Sequence, residues 1–238
     1  MKQNKDTYDD SFIDEFLNMA AIKQHEHVLN IGPSSSSIEL PSHLAKKSGN
    51  LLCVDTRVGM VNLLKTKNLK CLNNKEITID LWNEQDGIGK ENQFDVVVLY
   101  GTINSVFNPG ALLRQVAKCM KDDGRLLWAG LGVPEYAISA RMLLRSFDEY
   151  FHGDPELRRP VVRRYTIEKH IIMAFDAGFK FRSLVPFNVL KNLTFSISGE
   201  TNEKLQKDFS EYLIQNADMA KELQSPAIGF FSVLCKDK

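Results

Sequence analysis

The sequence predicts an α/β protein with a doubly wound, mainly parallel sheet. Along its 238 residues, short apolar runs that suit buried strands alternate with stretches of helical spacing. In the clearest unit, the run Val28–Ile31 stops at Gly32 and the run Asn50–Val54 stops at Asp55. The residues between the runs allow one crossover helix, which makes a right-handed βαβ unit. Ligands of such sheets bind beyond the carboxyl ends of the strands, where strand order reverses, so we expect Gly32 and Asp55 at that edge.

The helix between these two strands has two possible starts. Ser36 and Glu39 fit a capping box, in which the serine caps the helix and the glutamate reaches back. Pro41 favours a later start and a longer serine loop, because proline is tolerated at the first helical position but not several residues into a helix. The sequence leaves both starts open.

The other elements are predicted from apolar spacing and turn residues. Before the first strand, an amphipathic helix at Ser11–Ile22 should place Phe12, Phe16, Met19 and Ala20 on one face. Later helices are expected at Val58–Lys67, Pro109–Met120, Pro134 to about Phe151 and Thr166–Ala177, with helical spacing also within Asn202–Leu223. Later strands are expected at Glu76–Leu81, Phe94–Tyr100, Leu126–Gly130, Lys180–Val185 and Ile228–Cys235, with a loop at Asn83–Asn92 and a turn at Asp122–Arg125.

Composition excludes several classes of protein. Apolar residues make up 43% of the chain, and acidic and basic residues number 30 each, so there is no global charge to favour nucleic acid or an anionic membrane. The four cysteines are widely spaced in apolar segments, which is typical of reduced core residues and predicts neither a metal site nor disulfides. No apolar stretch suggests a signal peptide or a membrane span, and a cytoplasmic protein is expected.

The order of these elements resembles the class I S-adenosylmethionine (SAM) dependent methyltransferases, in particular the small-molecule BioC/UbiE-like (methyltransferase type 11) kind. The resemblance implies a single domain over residues 1–238, with a seven-stranded Rossmann-like sheet whose strand 7 is antiparallel. It also implies an N-terminal helical cover at 1–24 and substrate-covering insertions after strands 5 and 6, at 132–165 and 187–225.

The family's cofactor site can be carried onto this chain position by position. Asp55, with Thr56 beside it, matches the acid that holds the ribose hydroxyls. Asp80 and Leu81 match the pair that contacts adenine, and Tyr100 and Gly101 would border the methionine end.

The loop after the first strand departs from the family pattern. Asn30 stands where an acid is expected, Gly32 is retained, and Ser34 and Ser36 replace the other two glycines. A Cβ can obstruct the close approach of backbone to ligand, and loss of the carboxylate forfeits about 1.5 to 3 kcal/mol of charge-assisted hydrogen bonding. Serine hydroxyls can compensate by donating to a carboxylate.

Candidate catalytic residues lie around the first insertion. Methyl transfer needs mainly positioning and, for a weakly acidic nucleophile, a base. His152 is the candidate base, and Tyr136 and Tyr165 could orient a substrate hydroxyl or carboxylate; the other four histidines are expected to be structural or exposed. Six arginines of this region could receive an anionic group or form surface salt bridges: Arg141, Arg145, Arg158, Arg159, Arg163 and Arg164.

Three functions remain open, of which the third, a cofactor-using catalyst of a reaction other than methylation, has no positive sign in the sequence. The first is a SAM-dependent methyltransferase that acts on a small metabolite, with or without a carboxylate, or on a substrate bound to an acyl carrier protein. The second is a methyltransferase fold that has lost SAM binding and serves as a binding or scaffolding subunit of a protein partner. The substituted loop motivates the second.

Overall fold

A computed structural model describes residues 10–32, 38–73, 77–132, 165, 167–188 and 228–237. Its strands are β1 (His27–Ile31), β2 (Asn50–Asp55), β3 (Ile77–Leu81), β4 (Phe94–Tyr100), β5 (Met120–Gly132), β6 (Phe179–Asn188) and β7 (Ile228–Lys236). Its helices are α1 (Asp10–Met19), α2 (Leu40–Lys47), α3 (Val58–Lys67), α4 (Leu69–Asn73), α5 (Pro109–Cys119) and α6 (Ile167–Asp176), with a 3₁₀ turn at Thr102–Asn104.

The seven strands form one sheet in the order β3-β2-β1-β4-β5-β7-β6. Strands β1 to β5 pair in parallel, whereas β7 pairs antiparallel with both β5 and β6. The prediction of a doubly wound α/β sheet with an antiparallel seventh strand is therefore confirmed. Strand order reverses at β1, which lies between β2 and β4.

Each face of the sheet has its own apolar core. Helices α1 to α4 pack on one face, where Phe16, Leu44 and Leu64 are fully buried. Helices α5 and α6 pack on the other face, around the fully buried Trp128. The strands buried on both faces are near-continuous apolar runs, as parallel strands require, which is why their positions could be predicted from sequence.

Asp95 in β4 has a structural role. Its carboxylate accepts hydrogen bonds from the His27 backbone N–H (2.9 Å) and from Lys121 Nζ (2.7 Å). Burial by itself would raise the pKa of Asp95, but these hydrogen bonds outweigh it and hold the pKa below its usual value. Asp95 thus ties the starts of β1 and β5 to β4.

The structure decides one open alternative and corrects two local predictions. Helix α2 begins at Leu40 with Pro41 in its first turn and without a side-chain cap, so of the two starts the proline-led one holds. The turn expected at Asp122–Arg125 is part of β5, where pairing with β4 shifts register in a bulge. The inner face of α1 is wider than expected, because Ile13 and Leu17 are buried there.

The predicted cover segments are described only in part. Within the N-terminal cover, α1 is present, and β6 extends two residues into the predicted insertion 187–225. The helices expected at 134–151 and 202–223 lie outside the described residues. In the described part of the chain, no helix is long and apolar enough to cross a bilayer.

Candidate functional site at the carboxyl edge of the sheet

The carboxyl ends of β1, β2 and β4 bring the predicted site residues side by side. Ile31 pairs with Val54 of β2 and with Leu99 of β4. The residues that come next therefore lie at the same edge of the sheet: Gly32 after β1, Asp55 at the end of β2 and Tyr100 at the end of β4. This edge is the point of strand-order reversal, where ligands of doubly wound sheets bind.

Gly32 makes a turn that other residues would not tolerate. Its φ is +59°, and its N–H donates to the Val54 carbonyl at 2.7 Å. A Cβ on Gly32 would lie 2.8 Å from Cγ2 of Thr102, whose hydroxyl donates to the Ile31 carbonyl at 2.5 Å. Both the backbone conformation and the lack of space therefore require glycine.

Asn30 presents an unpaired hydrogen-bond acceptor. Its side chain is fully buried, and its Nδ2 lies 4.0 Å from Sγ of Cys53, whose pKa is raised to about 12 by burial. Asn30 Oδ1 has no hydrogen-bond partner among the described residues. Leaving a buried acceptor unpaired costs about 1 to 3 kcal/mol, so this oxygen is suited to a ligand N–H donor.

Asp55 is already paired, and its partner was missed by sequence reasoning. Its Oδ1 accepts from the backbone N–H and from Nε of Arg57, at 2.9 and 3.0 Å, and its Oδ2 accepts from an Arg57 terminal nitrogen at 3.0 Å. The Asp55 side chain is only 1% exposed, whereas that of Arg57 is 30% exposed and Thr56 between them points to solvent. Arg57 precedes α3 in an extended conformation, and an arginine two residues after a strand-ending acid was the available signal.

Beside Asp55, the end of β3 exposes apolar surface. Leu81 pairs with Asp55 and is 55% exposed, and Asp80 before it is also exposed. Val58, the first residue of α3, is 61% exposed and was not predicted as a site residue. Trp82 is structural, since its backbone N–H donates to the Asp55 carbonyl and its indole N–H to the Asp86 carbonyl. Asp55 is thus flanked by solvent-facing apolar side chains.

At the end of β4, Tyr100 joins the site to helix α1. Its ring packs edge-on against Phe16, with centroids 5.3 Å apart, and Phe16 also contacts Phe231 of β7 at 5.0 Å. Gly101 follows with φ +69°, and a Cβ there would meet open space. Helix α1 is therefore held against the edge where Gly32 and Asp55 lie.

The other predicted site residues, catalytic and ligand-binding, lie only partly within the described residues. Ser34, Ser36, Tyr136, His152 and the six arginines lie outside the described residues. Tyr165 is half-buried and packs perpendicular to His170, 5.6 Å between ring centroids, on the sheet face opposite to that of Tyr100. His170 is fully buried beside Trp128, which confirms its expected structural position.

The fold class is defined by the strand order and by the antiparallel seventh strand. Together they are the fold of the class I methyltransferases, so the resemblance seen in the sequence is confirmed at the level of fold.

Comparisons with known proteins agree with this class. Residues 34–126, less than half of the chain, match a family described as "Methyltransferase domain". No curated protein is similar enough in sequence to count as a match. Among solved structures, the YcgJ protein of Bacillus subtilis is 14% identical, with 96% of this chain and 99% of that chain covered and a TM-score of 0.64.

Two further similar structures are of proteins named as methyltransferases. A SAM-dependent methyltransferase from Methanosarcina mazei is 15% identical, with 93% of this chain and 97% of that chain covered and a TM-score of 0.60. Geranyl diphosphate C-methyltransferase from Streptomyces coelicolor, solved with Mg²⁺, geranyl diphosphate and S-adenosyl-L-homocysteine, is 8% identical, with 95% and 80% covered and a TM-score of 0.67. At these identities the likeness establishes the fold and not the substrate.

Proposed function

We propose that this chain is a SAM-dependent methyltransferase that acts on a small metabolite. One observation carries the proposal: Asn30, Gly32 and Asp55 lie together at the reversal point of a methyltransferase-type sheet. The methyltransferase-domain match over residues 34–126 supports it. An acid that ends β2 beside a glycine turn that ends β1 is the arrangement expected for a nucleoside-containing cofactor.

The residues at this edge fit SAM at the methionine end and, with one rearrangement, at the ribose end. The unpaired Oδ1 of Asn30 would accept a hydrogen bond from the methionine ammonium. The positive φ of Gly32 would turn the chain beside the ligand, and Asp55 would accept from the ribose hydroxyls once Arg57 yields a position. Leu81 and Val58 would cover the adenine ring, with Asp80 beside its amino group.

The chemistry then depends on positioning. SAM supplies an electrophilic methyl group on a sulfonium, and the protein must align the acceptor atom with it. Tyr100 and Gly101 border the end of the site where the acceptor would approach, and α1 covers it through Phe16. A base is needed only where the acceptor is weakly acidic, and His152 keeps that proposed role. Tyr136 and Tyr165 keep the proposed role of orienting a substrate hydroxyl or carboxylate.

The acceptor that we propose is small, either a carboxylated metabolite or an acyl group on a carrier protein, in the cytoplasm. The arginines of the first insertion support it, because guanidinium binds carboxylate with two hydrogen bonds. The equal numbers of acidic and basic residues disfavour nucleic acid as acceptor.

Calorimetric titration of the purified chain with SAM and with S-adenosylhomocysteine tests the proposal. We expect micromolar dissociation constants that weaken about 10- to 100-fold in Asp55→Asn, which loses a charged acceptor. The matched control is Asp122→Asn, which removes a carboxylate at the start of β5, at the opposite edge of the sheet, and should leave binding unchanged. Absence of binding at millimolar ligand in the unmodified chain would refute SAM dependence.

A second candidate is a scaffolding subunit without SAM binding. Both oxygens of Asp55 are already bonded to Arg57, and the first-strand acid is replaced by Asn30, so the site has less to offer a cofactor than the family pattern. Under this function, the unmodified chain and Arg57 variants would all fail to bind either ligand. The chain would instead form a stable complex with a protein partner that survives gel filtration, whatever the ligand concentration.

A further inference from the structure

We propose that Arg57 sets the affinity of this site by occupying the Asp55 carboxylate in competition with the ribose hydroxyls of an adenosyl ligand. The inference rests on the proposed function and adds a residue to it. The methyltransferase match does not imply this role, since the evidence is the contact between Arg57 and Asp55 in this structure.

The Asp55 carboxylate is nearly saturated. A carboxylate has about four acceptor positions, and Arg57 takes three of them with two guanidinium nitrogens and a backbone N–H. All three bonds are 2.9 to 3.0 Å long, and the carboxylate is 1% exposed. A ribose diol, which donates two hydroxyl hydrogens, therefore cannot be accepted in full while the guanidinium stays in place.

Exchange is physically accessible, because only the side chain of Arg57 must leave. The guanidinium is carried on a flexible stem, and the side chain is 30% exposed, so it can turn to water without moving α3. The backbone N–H of Arg57 would keep its 2.9 Å bond to Asp55, and two hydroxyls would replace the two guanidinium nitrogens. Binding of the adenosyl ligand then requires the bidentate ion pair between Arg57 and Asp55 to break. The free energy of that ion pair is lost from binding, which lowers the apparent affinity.

Titration of Arg57 variants with S-adenosylhomocysteine tests this competition. Arg57→Met keeps the apolar stem and removes the donors, and we expect roughly tenfold tighter binding, as one charge-assisted hydrogen-bond pair is no longer broken. Arg57→Lys keeps a positive charge without the bidentate fork and should give a smaller gain. The matched control, Lys65→Gln, removes an exposed positive charge from α3, the helix that Arg57 precedes, and should leave the dissociation constant unchanged.

A double-variant cycle and a melting experiment locate the effect at Asp55. In an Asp55→Asn background, Arg57→Met should no longer tighten binding, because the two residues act through one contact. Without ligand, Arg57→Met should melt at a lower temperature than the unmodified chain, since it leaves a buried carboxylate unpaired. If it does not fold, Arg57→Lys carries the comparison.

The outcomes separate this inference from the proposed function. Binding to Arg57→Met that is tighter than the measured binding to the unmodified chain supports the competition. Equal or weaker binding to both Arg57 variants, with clear binding to the unmodified chain, overturns the role of Arg57 and leaves the methyltransferase proposal standing. Absence of binding to every variant overturns both.

Discussion

Arg125 near the start of β5 holds the end of α1 against the sheet, and its removal should destabilise the whole domain. Its guanidinium donates to both carboxylate oxygens of Glu26, at 2.9 and 2.8 Å, and to the carbonyls of Ala20 and Ala21. The side chains of Arg125 and Glu26 are 15% and 10% exposed. Glu26 accepts one further bond, from the Lys23 backbone N–H at 2.8 Å.

The expected cost of Arg125→Met can be worked out from these contacts. Glu26 would keep only the Lys23 N–H among the described contacts, and two carbonyls at the end of α1 would lose a donor. Breaking a buried ion pair costs about 3 to 5 kcal/mol, and we expect the lower end because both side chains keep some solvent contact. By contrast, Lys236→Met removes a partner of Asp122, which is 74% exposed, and should cost less than about 1 kcal/mol.

Urea unfolding at several pH values measures both the size and the cause of this effect. The hydrogen bond from Arg125 is the largest influence on Glu26, and it holds the pKa of that carboxyl below the usual 4.5 despite partial burial. A lowered folded-state pKa gives stability that is present above the unfolded-state pKa and is lost as pH falls through the folded-state pKa. The difference in the free energy of unfolding between the unmodified chain and Arg125→Met should therefore be full at pH 7 and shrink below about pH 4.5.

Two results would refute this reasoning. One is a loss of less than about 1 kcal/mol at pH 7, which is the range of exposed ion pairs. The other is a loss that stays constant through the acid range. The Glu26→Gln and Arg125→Met double variant adds a check, because its cost should be smaller than the sum of the single costs if the two side chains act as one pair.

Three further predictions concern the site and the core. Gly32→Ala should lower the free energy of unfolding in urea by about 2 to 3 kcal/mol, because alanine is strained at positive φ and its Cβ would lie 2.8 Å from Thr102. Adding Thr102→Ser removes the crowding methyl group and should recover only the part of the loss that is due to crowding. Phe16→Ala should cost about 3 to 5 kcal/mol by the same measurement, because a fully buried ring is lost; a cost below 1 kcal/mol would mean that α1 is not docked as described. At pH 8 a thiol-reactive dye should label the partly exposed Cys71 first and leave Cys53 unlabelled in the folded protein, since burial raises the pKa of Cys53 to about 12; equal labelling rates would contradict this.

The elements of this fold were predictable because their signals are local. The runs that became β1 and β4 are apolar on both faces and end at Gly32 and Gly101, so period and turn residues mark them without knowledge of their neighbours. Signals that depend on packing were missed. The segment Asp122–Arg125 has the composition of a turn, yet it continues β5 as a bulge because Met120 pairs with Phe94 ahead of the shift.

The same distinction explains the candidate site. Asp55 was predictable from its position, since an acid that ends β2 beside a glycine turn must lie at the reversal point whatever its side chain does. Whether that carboxylate is available to a ligand is decided by Arg57, whose extended backbone before α3 directs the guanidinium back onto it. A resemblance carried over residue by residue assigns Asp55 a role and says nothing of its neighbour. Under the proposed competition, two chains with the same acid at this position can therefore differ about tenfold in their affinity for an adenosyl ligand. The residue responsible lies outside the sequence pattern by which the cofactor site is recognised.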